Sequence, residues 1–288
     1  MGGPCRLRLE MEPGQDAAAA IEVAVSEIER LENKFSRYRE DSLTSRINAA
    51  AGSGRRTEID AETAAILNYV DTAWQESGGL FDISSGILRR AWDFKSGRCP
   101  AQAELDELLP LIGWQHVQRD DNSVYLPREG MELDFGGCVK EYAVDSAAAK
   151  LRGIGVSAAL VDLAGDMVAT AAPEGKSGWP IGIRHPVDKS SAIASVELPE
   201  GALASSGDYE RYIEIEGVRY GHILDPKTGW PVRGLVAVSV LAGQCLVAGS
   251  AATIAMVKPA ADGLAWLERL GLPWLAVDVD LNCHGTLI

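Results

Sequence analysis

Strand-type and helix-type segments are mixed along this chain, and some neighbouring strands read as hairpins. That mixture limits the fold more than any other feature. Apolar residues recur at Ile21, Val25, Ile28, Leu31 and Phe35, a helical spacing over about residues 16–37. Glu27, Arg30 and Lys34 stand on the opposite, polar face. A second helix is expected over 61–77, with Asp60 as N-cap and Gly78-Gly79 as its stop. A short helix over 84–94 and a turn over 95–100 follow, with later helices over 139–151, 246–257 and 261–270. Strands are expected over 5–10, 124–126, 132–135, 158–163, 179–184, 193–198, 202–205, 236–241 and 274–279. Residues 212–215 and 218–222 flank Glu216-Gly217 as a hairpin. There is no repeat, low-complexity segment or long linker. The expectation is α+β, mixed sheets with flanking helices in one domain over 1–288, rather than a doubly wound parallel sheet.

Composition narrows the function more than the fold. The net charge of −14 argues against a nucleic-acid partner, which would need clustered Lys and Arg. No apolar run is long enough for a membrane span, and the N-terminus carries no visible signal peptide. The five cysteines, Cys5, Cys99, Cys138, Cys245 and Cys283, show neither zinc spacing nor a disulfide framework. A reducing, cytoplasmic setting is the expectation.

Four segments carry candidate chemistry. Leu133–Asp145 places an acid and two glycines ahead of a helix, where exposed backbone groups can meet a phosphate or a metal, or where Asp134 can simply cap a turn. Ser205–Arg211 is polar and reads as a loop between strands. In Tyr220–Val232, His222 closes a strand and Asp225-Pro-Lys-Thr-Gly229 makes the turn that presents it. Histidine is the natural general base near neutral pH; the alternative is a hydrogen-bonded hairpin residue. His116, His185 and His284 read as surface or packing residues. In Ser77–Ser84 a glycine pair joins two helices, and Asp82 reads by default as the cap of the second.

Taken in order, these segments resemble the ApbE family, the FAD:protein FMN transferases, over residues 1 to about 280. Met1-Gly-Gly resembles the family's Met-Gly-Thr, and Ser36-Arg-Tyr38 with Ser42 and Asn48 resembles its S-x-Y…S…N. Gly79–Asp82 with Trp92-Asp-Phe94 resembles G-A-F-D…W-x-F, and Asp134–Asp145 resembles D-x-G-G-x-x-K-G-Y-x-x-D. Asp162–Asp166, Ser206–Asp208 and His222–Gly229 resemble N-x-G-G-D, S-G-D and H-I-x-D-P-x-T-G.

The resemblance implies a T-fold-like, two-lobed α+β domain. It implies an FAD site lined by Met1, Tyr38, Leu80, Phe81, Asp82, Asp134, Lys140 and Ile223, with Lys140 facing the pyrophosphate. It implies that His222 deprotonates a threonine or serine of an acceptor redox protein, that FMN is transferred and that AMP leaves. Mg2+ would be held by the Gly137 carbonyl, the Thr253 hydroxyl and an acid of an A-D-A-x-x-T motif. Here the motif reads Ala248-Gly-Ser-Ala-Ala-Thr253, with Gly249 at the acid's position. Water or a neighbouring acid such as Glu141 would fill the gap. Other departures are Gly3 for Thr, Glu141 for Gly, Asp162 for Asn and Ala164 for Gly. A non-catalytic FAD-binding relative and an FAD pyrophosphatase are the competing readings.

Overall fold

The computed structural model describes residues 3–94, 96–188, 190–209, 212–215 and 218–287. In chain order the elements are β1 (Cys5–Glu10), α1 (Ala17–Phe35), α2 (Leu43–Ala49), β2 (Thr57–Glu58), α3 (Ala61–Ser77), a 3-10 helix (Ile83–Arg90), α4 (Gln102–Leu108), β3 (Gln118–Arg119), β4 (Ser123–Tyr125) and α5 (Val139–Gly153). There follow β5 (Ala158–Leu163), β6 (Asp166–Ala169), β7 (Trp179–Arg184), β8 (Ala192–Leu198), β9 (Gly201–Gly207), β10 (Tyr212–Ile215), β11 (Val218–Gly221), β12 (Leu235–Ala242), α6 (Cys245–Val257), α7 (Ala260–Leu270), β13 (Trp274–Asp278) and β14 (Cys283–Gly285). The fold class is α+β, as expected.

The chain divides into two compact units. The first comprises Met1–Asn33, Cys138–Tyr209 and Gly234–Ile288. Its centre is a seven-stranded sheet in the order β1-β5-β6-β9-β12-β13-β14, antiparallel at every pairing. Alternation along β5 sends Ala159 and Val161 to one face and Ala158 and Leu160 to the other, and all four are buried. Ala158 and Leu160 join Ala169, Leu203 and Leu275 against Trp179, Ile181, Ile183 and Leu198 of the β7–β8 hairpin. Helix α5 packs on β5 and β6, and α6 packs on β9 and β12. Nearly every residue of α6 is buried, so its sequence is apolar all round instead of amphipathic. Full burial of each Leu, Ile or Val in these layers contributes roughly 1.5–3 kcal/mol.

Asp145 of α5 caps α6 from a neighbouring helix: its carboxylate accepts from the backbone N–H of Cys245 (2.7 Å) and of Leu246 (2.9 Å). Two of the four orphan donors at that helix start are thereby satisfied, by a charge that the helix dipole favours.

The second unit comprises Lys34–Gly137 and Glu210–Arg233. It holds α2, α3, α4, the three-stranded sheet β2-β4-β3 and the β10–β11 hairpin. Leu88, Ala91, Trp92, Leu105 and Ile213 form a core cluster there, with Phe94, Leu224 and Trp230 packed against it. Asp60 caps α3 through the Thr63 N–H, and Gly78, in the left-handed region at φ 68°, ends it, both as expected.

Three expectations change. The buried stripe of α1 runs through Ala20, Ala24, Glu27, Ile28, Leu31 and Phe35, while Ile21 is exposed. Glu27 is inside because Arg30 clasps both its oxygens and the Ser146 hydroxyl donates to it at 2.6 Å. Residues 132–134 are not a strand; Asn48 takes the place of a partner strand, accepting from the Leu133 N–H (2.7 Å) and donating to the Leu133 carbonyl (3.0 Å). Ser205, Ser206 and Gly207 belong to β9, at the centre of the large sheet, instead of a loop. Helices α2 and α4 and strands β2, β3, β6 and β14 were not anticipated; each is seven residues or shorter and shows too little of its period. The Glu216-Gly217 turn, Lys95, Glu210 and Arg211 lie outside the described residues.

Candidate functional site

In the second unit, Asp134 follows the segment held by Asn48 and forms an ion pair with Arg37. Its carboxylate also accepts from the Gly136 N–H at 3.0 Å. Gly86 of the 3-10 helix lets the carboxylate lie against backbone, since a Cβ there would stand 2.8 Å from Asp134 Oδ2. Arg37 donates to the Tyr38 hydroxyl at 2.9 Å and covers its ring, and the Tyr38 side chain is otherwise open, 81% exposed. Exposed aromatic rings of this kind can pack on flat ligands. Arg37 was not singled out from the sequence, although it lies inside the Ser36–Tyr38 motif.

Gly78-Gly79 turns the chain from α3 into Leu80, which is half-buried, and Phe81, which is buried. The Phe81 N–H is held by the Ser77 hydroxyl at 2.8 Å. Asp82 caps the 3-10 helix through Ser84, and its second oxygen accepts from the Trp114 N–H at 3.0 Å. Both carboxylate oxygens therefore have partners within the unit. Gly137 ends this unit and is exposed.

His222 directly follows β11 and is half-buried. The turn after it is tightly braced. Ile223 accepts from the Val232 N–H at 3.0 Å, and Leu224 bridges to Pro231. Asp225 accepts from the Lys227 N–H at 2.7 Å, and the Gly229 N–H returns to the Asp225 carbonyl at 2.8 Å. Gly229 sits at φ 74° against Leu88 and Leu105, so this corner needs glycine for both conformation and space. Its carbonyl accepts from the Trp92 indole N–H at 2.8 Å. Trp92 stacks on Phe94 and meets Trp230 edge-on, which explains why the W-x-F segment accompanies the His222 turn in one chain. The other three histidines serve local turns or pairs: His185 accepts from the N–H groups of Val187 and Asp188, His284 meets Asp278 at 2.8 Å, and His116 lies 3.2 Å from Arg128.

In the first unit, α5, β6, β9 and α6 bring a charged cluster together. Lys140 forms an ion pair with Asp166, and its ammonium is 3.9 Å from Glu141. Burial alone would lower the Lys140 pKa, but Asp166 and then Glu141 outweigh it and raise the net value. Glu141 is itself buried, and burial followed by the nearby Asp166 charge pushes its pKa up to about 7, against the pull of Lys140. Its Oε2 atom has no hydrogen-bond partner among the described residues. The Asp166 carboxylate also accepts from the Ser205 N–H at 3.1 Å. The next residue, Ser206, hydrogen-bonds through its hydroxyl to Thr253 of α6 at 2.8 Å. In the sequence Asp166 stands only at the end of a motif; the structure makes it a centre of this cluster.

Two pairs of departures from the family pattern fit together sterically. A Cβ on Gly249 would stand 2.6 Å from Glu141 Cγ, and one on Gly3 would stand 2.6 Å from the Ala164 Cβ. In each pair one position has gained a side chain where its neighbour lacks one. Met1 lies outside the described residues. Among the described residues no group of three or more His, Cys, Asp or Glu could hold a metal by itself. Any metal would need hydroxyl, carbonyl, phosphate or water oxygens as well. No described helix is long and apolar enough to cross a membrane.

A profile of the ApbE family matches residues 1–275. An FAD:protein FMN transferase of Vibrio cholerae is 29% identical, over 96% of this chain and 85% of that one. A Treponema pallidum FAD:protein FMN transferase is 30% identical, over 89% of this chain and 76% of that one. The crystal structure of the ApbE protein of Thermotoga maritima superposes with a TM-score of 0.90 at 28% identity, covering 99% of this chain and 94% of that one. The flavin transferase ApbE of Vibrio cholerae superposes with a TM-score of 0.89 at 26% identity, again covering 99% and 94%. With its α+β fold, its braced histidine turn and a match running through nearly its full length, the chain belongs to the ApbE family.

Proposed function

We propose that this protein transfers FMN from FAD to a threonine or serine hydroxyl of an acceptor redox protein and releases AMP. The observation that carries the reading is the His222 turn, whose carbonyls, N–H groups and indole brace hold an imidazole-bearing residue at the end of a hairpin. His222 takes the proton of the acceptor hydroxyl. The oxygen attacks the FMN-side phosphorus, an O–P bond forms, the pyrophosphate O–P bond breaks, and AMP carries away the bridging oxygen. Tyr38, Leu80, Phe81, Asp82, Asp134 and Ile223 are the FAD-lining candidates of the second unit, and Met1 and Lys140 those of the first.

Mg2+ fits the oxygen-rich chemistry here: a buried carboxylate oxygen of Glu141 without a partner, and the Ser206–Thr253 hydroxyl pair. Thr253 and the Gly137 carbonyl are the candidate ligands carried by the family pattern. When bound, the ion would neutralise charge developing on the phosphates. Lys140 supplies a fixed positive charge from the start of α5. No disulfide joins the five cysteines, which favours a reducing, cytoplasmic compartment. One domain over 1–288 remains the proposed organisation.

The test is purified protein with FAD, Mg2+ and an acceptor peptide. Covalent flavin on a hydroxyl of the peptide is the expected result. Free FMN and AMP would mean a pyrophosphatase, and intact bound FAD a binding protein. His222→Asn should lower transfer by about 10²–10⁴ while FAD still binds. Wild-type rates in that variant would remove His222 from the chemistry.

A further inference from the structure

Gly249 lies inside α6, where glycine costs about 1 kcal/mol relative to alanine. Its backbone does not require glycine, because its φ is not in the left-handed region. What requires it is space. A Cβ at this position would stand 2.6 Å from Cγ, 3.2 Å from Cδ and 3.3 Å from Oε1 of Glu141. The carboxyl group of Glu141 therefore occupies the volume that a side chain at 249 would fill. Thr253 stands one turn further along α6, on the same face as Gly249.

The surroundings are not those of a carboxylate placed for stability. Glu141 is 8% exposed, and its Oε2 has no hydrogen-bond partner among the described residues. Leaving such an oxygen unpaired is costly. A second buried carboxylate, Asp166, stands beside it, and Lys140 pairs with Asp166 while remaining 3.9 Å from Glu141. One cation thus faces two acids, and the cluster can accept a further positive charge.

We propose that Glu141 is the anionic metal ligand of this chain, delivered from α5 into the place left by Gly249 and acting with the Thr253 hydroxyl. This rests on the Mg2+-dependent transferase reading and assigns one of its ligands. Glycine at 249 is then a requirement of the site instead of a lost residue. Phosphate, carbonyl and water oxygens complete the shell of an ion that readily keeps water.

The experiment is a Mn2+ titration of the full-length protein with saturating FAD, followed by electron paramagnetic resonance, with flavin transfer measured on the same preparations. Glu141→Gln keeps the volume and removes the charge, so Mn2+ affinity should fall at least about tenfold while FAD stays bound. The double variant Glu141→Gly with Gly249→Asp moves the acid back onto α6 and should restore affinity. Gly249→Asp alone should crowd Glu141 and lower the melting temperature. Wild-type Mn2+ affinity in folded Glu141→Gln would overturn the proposal. That result is expected if Glu141 only shares a proton with Asp166, because glutamine reproduces the neutral partner. If Glu141→Gln fails to fold, the double variant decides: Mn2+ affinity at least about tenfold below wild type would also overturn it. Failure of the transferase reading shows differently, as a wild type that binds Mn2+ and FAD but flavinylates nothing.

Discussion

At the scale of single residues, four of the five departures from the family pattern make physical sense as two pairs, Gly249 with Glu141 and Gly3 with Ala164. Ala164 and Gly165 form the two-residue turn between β5 and β6, at φ 55° and 98°. Two positive φ values in succession are the signature of the hairpin turn that favours Asn-Gly or Gly-Gly. Alanine there costs about 1–2 kcal/mol of backbone strain, partly offset by the smaller entropy it loses on folding. Its methyl group fills the space that Gly3 leaves. Ala164→Gly should therefore stabilise the protein, by about 0.5–1 kcal/mol, read as a higher urea midpoint at unchanged slope. A loss of stability would mean that the Ala164 methyl contact with Gly3 outweighs the strain. The turn also sets the position of Asp166, the first residue of β6, so its geometry bears on the charged cluster.

At the scale of elements, α6 is the helix on which the first unit depends. It is buried nearly all round, and the start of the helix is capped by Asp145 instead of by its own N-cap residue, Gln244, which makes no side-chain cap bond. Burial raises the Asp145 pKa, and the two N–H donors oppose that rise. Asp145→Ala would leave both donors without a partner. A cost of about 1–3 kcal/mol follows, measurable by chemical denaturation, with a smaller loss for Asp145→Asn. Equal stability of wild type and Asp145→Ala would show that water reaches the helix start. The closing aspartate of Asp134–Asp145 is thus explained as a structural residue. Glycine at the far end of α5 is different: a Cβ on Gly153 would meet nothing within 4 Å.

The periods of α1, α3, α5 and the long strands were legible in the chain because each repeats its pattern several times. The short elements α2, α4, β2, β3, β6 and β14 were not. The Glu132–Phe135 segment misled for a specific reason: it has strand-like residues, but its peptide groups are paired by the Asn48 side chain. No periodicity reports such a partner. In α1, Ile28, Leu31 and Phe35 are buried as expected, but the N-terminal half of the stripe is shifted by one residue, because Ala20, Ala24 and the paired Glu27 carry the buried face there.

At the scale of the whole molecule, the net charge of −14 opposes an anionic ligand, so FAD recognition must come from local cations and donors. Lys140, a proposed FAD-site residue, is ion-paired to Asp166, and Arg37, next to the proposed Tyr38, is ion-paired to Asp134. A ligand that binds only the folded state at a hundred times its dissociation constant adds about 2.7 kcal/mol. For a chain of this size the melting temperature should rise by about 5 °C with FAD at that excess. FMN at equal concentration should give a clearly smaller rise. Equal rises with the two flavins in a thermal-shift measurement would argue against a dinucleotide site.

The sequence alone determined the mixed α+β character, the longer helices and strands, the glycine stop of α3 and the candidate site residues, because these rest on local propensity and on contiguous motifs. It also showed Gly249, Glu141, Gly3 and Ala164 as separate departures. Only the tertiary structure decided that they belong together, since residues distant along the chain share volume only after the sheet and helices have packed. The same holds for Asp145 on the start of α6, Arg37 on Asp134 and Asp166 beside Glu141. Each is a contact between elements, and close packing, which no local pattern encodes, sets which side chain fills which space.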